Sequence, residues 1–266
     1  MHSFLLDLLI MIQNYFVHKN NLPVNMPGRL FTPIQIVLEV ILIIFIVKSA
    51  LTLAKKQEMI LPTFKILFLT LVIFEIVIIV WDTLSSGMPF DYKTNLSLYP
   101  CSIFMFVLPM IIWNDGIYRQ IGCGYVCTLG IVGALINFLY PFSKLTDYAC
   151  ISFAATHTFF YHGSMLFVFI VIMASKMHSY VQDNSVRMAC LSALPTMMMS
   201  IPANIINYSS IQADYMYFTN QLFLSQMVFG QLEAIITTMI MYMVYFFLPF
   251  LFYIPAKKLV SIIKKS

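Results

Sequence analysis

Two residue types able to do covalent chemistry stand out in a strongly apolar chain. Cys101 follows a proline, in the run Leu98-Tyr99-Pro100-Cys101-Ser102-Ile103. Proline suits the first helical position, where its missing N–H would have no partner anyway. That spacing predicts Cys101 in the first turn of a helix. There the positive end of the helix dipole favours a thiolate, and uncapped N–H groups can steady an oxyanion. A nucleophilic cysteine also needs a base, most often histidine. One apolar run carries two, His157 and His162. Five residues separate them by about 140° around a helix axis, so only one readily faces Cys101. Depth along the helix favours His157. The competing reading is a buried cysteine and two histidines hydrogen-bonded across helices.

Other polar side chains interrupt apolar runs. Ionisable groups inside a membrane span cost several kcal/mol and are functional candidates by default. Glu39, Glu75, Asn137, Asn204, Asn207, Gln231 and Glu233 fall in the same half of their runs as Cys101, His157 and His162. The segment Asp214-Tyr215-Met216-Tyr217 precedes the last run. This segregation predicts a polar cavity opening toward the outer leaflet, with hydrogen-bonded glue between helices as the alternative. His and Cys show no metal-ligand spacing, and no Gly-Lys-Ser phosphate loop occurs, so no metal or other cofactor is expected. Cys123 and Cys127, four apart on an apolar face, read as packing residues. The stripe Gly130, Gly133 and Ala134 reads as a close helix contact. The triplets Asn95-Leu96-Ser97 and Asn207-Tyr208-Ser209 fit a glycosylation pattern too short to carry weight.

The elements that must hold these residues follow from composition. Of 266 residues, 61% are hydrophobic and 10% charged, against about 45–50% and about 25% in soluble globular proteins. The mean hydropathy is +0.87. A soluble enzyme, a disordered chain and a nucleic-acid-binding domain are excluded, and the net charge of +4 is too small to imply a polyanion partner. A helix needs about 20 mostly apolar residues to cross the hydrocarbon core. Seven runs qualify: 33–54, 60–81, 98–113, 121–141, 151–174, 187–209 and 229–255. The expected fold is therefore all-α, a polytopic membrane protein with seven transmembrane helices over 31–256. Residues 1–30 form an N-terminal segment and 257–266 a basic tail. Phe4 to Phe16 is broken by Asp7, Gln13 and Asn14 and lacks the basic start and cleavage site of a signal peptide. An interfacial helix is expected there, with a short eighth span as the rival.

Lysine and arginine set the orientation. One side holds Lys48, Lys55, Lys56, Lys65, Arg119, Lys176, Arg187, Lys257, Lys258, Lys264 and Lys265; the other holds Lys19, Arg29, Lys93 and Lys144. The richer side is cytoplasmic, so the C-terminus lies inside and the N-terminus outside. Lys48 and Lys65 sit a turn or two within the inner face, where long stems snorkel to water.

The Leu98–Ile103 run, followed by Gly130-Ile131-Val132-Gly133-Ala134-Leu135-Ile136, Phe159-Phe160-Tyr161-His162-Gly163 and Asp214-Tyr215-Met216-Tyr217, resembles the YwaF-type membrane proteins, relatives of transmembrane protein 164. The likeness covers roughly 30–255. It implies a lipid acyltransferase acting on membrane phospholipids, with Cys101 as nucleophile and His162, rather than His157, as its partner. Where the family motif has Asn, this chain has Asp214. Glu39, Glu75, His157, Asn204, Asp214, Tyr215, Tyr217 and Glu233 are the expected substrate-binding residues around that pair. A bacterial member would sit in the plasma membrane. A carrier for a small polar solute, using Glu39, Glu75, His157 and Glu233, is the second reading. A receptor or assembly subunit without chemistry is the third.

Overall fold

The computed structural model describes residues 2–23, 25–87, 99, 101–141, 145–181, 185–209, 239–240, 242–249 and 251. Every regular element among them is helical. We label the α-helices α1 (His2–Gln13), α2 (Pro33–Ala54), α3 (Gln57–Ser86), α4 (Ile103–Trp113), α5 (Gly116–Tyr125), α6 (Ile131–Leu139), α7 (Phe153–Ala174) and α8 (Ser185–Ser209). A π-helical turn, Val126–Gly130, joins α5 to α6 in one continuous rod. Among the described residues, four helices are long and apolar enough to cross a bilayer: α2, α3, the rod Gly116–Leu139, and α7.

The expected spans compare as follows. The first coincides with α2, which begins at Pro33 because Thr32 is extended and proline is tolerated in the first turn. The second extends to 30 residues as α3, closed by Gly87 in the left-handed conformation. The fourth and fifth correspond to the rod and to α7. The third is helical only over 11 residues, about 16 Å. The sixth is α8, long enough but diluted by serine, threonine, asparagine, Pro195 and Pro202. Of the seventh, residues 239–240, 242–249 and 251 are described and helical.

The chain divides into two compact units, Met1–Phe90 with Gly133–Ile170, and Asp91–Val132 with Val171–Ser266. In the first, α2 and α3 form a hairpin in which the Lys56 N–H donates to the Leu53 carbonyl at 2.8 Å. Ala50, Ala54, Ile60 and Phe64 are its buried residues near the turn. Ile36, Val40, Ile44 and Ile73 point outward and are half exposed, as a lipid-facing surface requires.

The far end of this unit is closed by polar and aromatic ties. Met11 of α1 packs with Met26, Ile34 and Ala149 in one buried cluster. Gly28 (φ +73°) passes so close that a Cβ there would lie 2.2 Å from the Met11 sulfur. The Cys150 N–H donates to the Gly28 carbonyl (2.8 Å), the Phe153 N–H to Tyr15 (2.8 Å) and the Leu30 N–H to Leu145 (3.1 Å). The Trp81 indole N–H donates to the Phe16 carbonyl at 3.1 Å. Lys19 pairs with Asp147 and His18 with Asp82, each at 3.3 Å. α1 rises only about 18 Å, short of the ~30 Å hydrocarbon core.

In the second unit α4 and α5 turn at Asn114–Asp115 into Gly116 (φ +60°). Arg119 staples the corner. Its Nε donates to the Ile111 carbonyl (2.9 Å), while Nη1 reaches the Asp115 carboxylate (2.6 Å) and the Tyr180 hydroxyl (3.3 Å). Two glycines let the helices close: a Cβ on Gly122 would lie 2.6 Å from Ile111, and one on Gly124 2.2 Å from the Ser192 hydroxyl. Gly130, expected at a helix–helix contact, instead lies over the Tyr125 carbonyl of its own rod, because the π turn brings that oxygen within 3.3 Å of a Cβ position. Cys123 and Cys127 are buried, with Cys127 against the Met173 sulfur at 3.9 Å.

Candidate functional site

α3 and α7 run antiparallel. Phe74 meets Phe160 at 5.1 Å between ring centroids, and Trp81 meets Phe153 at 5.3 Å. Between these contacts Glu75 Oε2 and His157 Nε2 are 3.0 Å apart. Both side chains are largely buried, at 16% and 14% exposure, so the pair forms in low dielectric where it is stronger than at a surface.

His162 lies on the next turn of α7. Its Nδ1 is 2.9 Å from the Thr158 carbonyl oxygen. A carbonyl only accepts, so Nδ1 carries the hydrogen and, in neutral imidazole, Nε2 carries the lone pair. The helix backbone thereby selects the tautomer whose outer nitrogen is basic. Tyr161 has ring centroids 6.1 Å from both His157 and His162.

On α2 a one-way chain of hydrogen bonds descends from the helix start. The N–H of Phe31, a non-glycine residue at φ +59°, donates to Gln35 Oε1 at 3.0 Å. Gln35 Nε2 donates to Glu39 Oε2. Glu39 is 8% exposed, and its other oxygen, Oε1, is buried with no hydrogen-bond partner. Gln35 and Thr158 are participants that reading residue types missed. The signal available was spacing: each stands four residues from the group it holds, the separation that stacks side chains on a helix.

The second unit contains Cys101 and Asn204. The Ser102 N–H donates to the Tyr99 carbonyl (2.9 Å) and the Phe104 N–H to the Cys101 carbonyl (3.1 Å). Ser102 is the N-cap of α4, so Cys101 sits in the turn just ahead of the helix rather than in its first turn. The turn closed at Ser102 occupies the positions that the proline spacing assigned to helix. Asn204 donates through Nδ2 to the Tyr242 hydroxyl at 2.7 Å, and the Ser200 hydroxyl lies 3.1 Å from the same oxygen. Asn204 therefore ties α8 to the helical segment containing Tyr242. Its own Oδ1 is buried without a partner.

Cys101 belongs to one unit and His157, His162, Glu39 and Glu75 to the other. Asp214, Tyr215, Tyr217 and Glu233 lie outside the described residues. Among the described residues no group of three His, Cys, Asp or Glu side chains is arranged to hold a metal ion.

Helices of membrane-crossing length, apolar outer faces and a buried carboxyl–imidazole pair within the helical layer define a multi-pass integral membrane protein. A model of the TMEM164 family matches residues 8–254, nearly the whole chain, and the chain belongs to that family. No curated protein and no solved structure matches the sequence.

Proposed function

We propose that this protein is a cysteine-dependent lipid acyltransferase working at the outer leaflet, with seven spans, the N-terminus outside and the C-terminus cytoplasmic. Residues 1–30 lie at the interface, 31–256 form the transmembrane domain, and 257–266 are a cytoplasmic basic tail. In a bacterial host it sits in the plasma membrane. The observation carrying the chemistry is the His162 Nδ1–Thr158 contact, which leaves Nε2 as the base. His162 Nε2 takes the Cys101 thiol proton. The thiolate attacks an ester carbonyl of a membrane phospholipid, and the C–O bond breaks to leave an acyl thioester. The departing lysolipid oxygen takes the proton from His162. A second lipid hydroxyl, or water, then gives its proton to His162 and attacks the thioester, and Cys101 leaves as thiolate and is reprotonated. Glu39, Glu75, His157, Asn204, Asp214, Tyr215, Tyr217 and Glu233 surround and orient the lipid.

The test is acyl-probe labelling of the membrane-embedded protein. Hydroxylamine-sensitive label is expected on the unmodified chain and absent from Cys101→Ala; label of equal intensity in that variant overturns the thioester. A second reading, a proton-coupled carrier, is favoured by Glu39, whose unpaired buried oxygen can accept a proton or a solute donor. Equal labelling in the variant turns the assignment toward that reading.

A further inference from the structure

The hairpin between α2 and α3 carries a groove unconnected with any of the proposed catalytic residues. Its volume is about 510 Å³. Lys48 and Lys56 stand on its rim with Ser49, Thr52 and Thr63. Lys48, Ser49, Thr52 and Lys56 recur at three- and four-residue spacing, so they share one face of α2 and its turn. Lys56 is also the N-cap of α3, whose positive end offsets the negative end of α2 at Ala54 and leaves the lysines as the net charge there. The remaining wall is Phe45, Leu53 and Met59, and Phe45 and Met59 are 67% and 48% exposed.

The Thr52 hydroxyl donates to the Lys48 carbonyl at 2.8 Å, which leaves Ser49 and Thr63 as donors. Two cations next to two hydroxyls favour a phosphate, and an exposed apolar wall beside them favours one that bears acyl chains. Neither Lys48 nor Lys56 takes part in an ion pair among the described residues. Lys55 and Lys65 add charge nearby without lining the groove, and Glu58 in the first turn of α3 does not line it either. A zwitterionic headgroup would bring its own ammonium against the two lysines. The chemistry therefore favours a lipid with net negative charge.

We infer that the α2–α3 hairpin holds an anionic phospholipid, its phosphate between Lys48 and Lys56 and its chains along Phe45 and Met59. With the C-terminus cytoplasmic this is an inner-leaflet lipid, on the opposite side from the proposed acyl transfer. The inference rests on the membrane class of the protein and not on the Cys101 chemistry.

The test uses the full-length protein in mixed micelles, with bound lipid counted by native mass spectrometry. Phosphatidylglycerol is expected to be retained over phosphatidylcholine. Each of Lys48→Gln and Lys56→Gln should weaken that preference about fivefold, equivalent to about 1 kcal/mol per lysine. Lys48→Arg with Lys56→Arg should preserve it. Lys55→Gln with Lys65→Gln should leave it largely intact. Equal retention of both lipids by the unmodified chain overturns the inference without any variant having to fold. Equal losses in the two lysine pairs would reduce the site to diffuse charge, and complete displacement by millimolar inorganic phosphate would reassign it to a free anion. Either result overturns the lipid site, and neither bears on acyl labelling.

Discussion

The imidazole of His162 owes its basic nitrogen to a backbone oxygen one turn earlier, not to a carboxylate. Such a base is uncharged and pre-oriented, suited to a site where an unpaired charge would be costly. In the proposed mechanism, replacing it by glutamine keeps a donor in place and removes the base. His162→Gln is therefore expected to slow acyl-probe labelling by about 10²- to 10⁴-fold while the protein remains folded, measured as a labelling time course against circular dichroism. An unchanged rate would remove His162 from the chemistry. Cys150, in the loop before α7, behaves oppositely to an activated thiol. Burial pushes its pKa up from 9.0 to about 11, outweighing hydrogen bonds to backbone that lower it. The thiolate is thus scarce at neutral pH and increases tenfold per pH unit up to the raised value. In a protein whose only cysteine is Cys150, alkylation by iodoacetamide should climb throughout pH 7 to 10. A curve with its midpoint at the ordinary value of 9.0 and levelling off by pH 10 would show an unburied thiol. The same sign means that folding stability from this group is complete below pH 9 and is lost as pH rises toward 11.

At the scale of elements, the two units are built differently. The first closes its end with backbone hydrogen bonds, an indole, one surface ion pair and a buried histidine set against Asp82; the second closes its corner with one arginine and its helix contacts with glycine. Gly124 faces Ser192 of α8 where a methyl group would lie 2.2 Å from the hydroxyl. Gly124→Ala should destabilise the protein by about 1–3 kcal/mol through overpacking. Combining it with Ser192→Gly, which removes the opposing hydroxymethyl group, should recover most of the loss, because contacting residues are not additive. Thermal unfolding in detergent of the two single variants and the double variant measures this. Additive losses would mean that the two helices do not meet at this point.

For the whole molecule, the distribution of charge makes a directional statement. The poorer cationic side includes Lys19, tied to Asp147 at the closed end of the first unit, while Lys48 and Lys56 lie at the opposite, hairpin end. A cysteine placed at Asn20 in a cysteine-free chain should react with a membrane-impermeant maleimide on intact cells. One placed at Ser266 should react only after permeabilisation. The reverse pattern would invert the proposed orientation, and with it the leaflet at which an ester could meet Cys101.

The class and most helix limits were legible in the chain alone. An apolar run in lipid has to satisfy its backbone groups internally, so length and composition already require helices, and the first run starts at Pro33 as expected, whereas the second continues past its expected end at 81 to Gly87. The candidate site was legible only as residue types at similar depths. Periodicity says which face a side chain occupies, but not what stands opposite. Only the tertiary structure paired Glu75 with His157, bound His162 back to Thr158, set Cys101 ahead of its helix and turned Asn204 toward Tyr242. It also set close helix contacts at Gly122 and Gly124, and laid Gly130 over the Tyr125 carbonyl of its own rod, where a π turn widens the helical repeat.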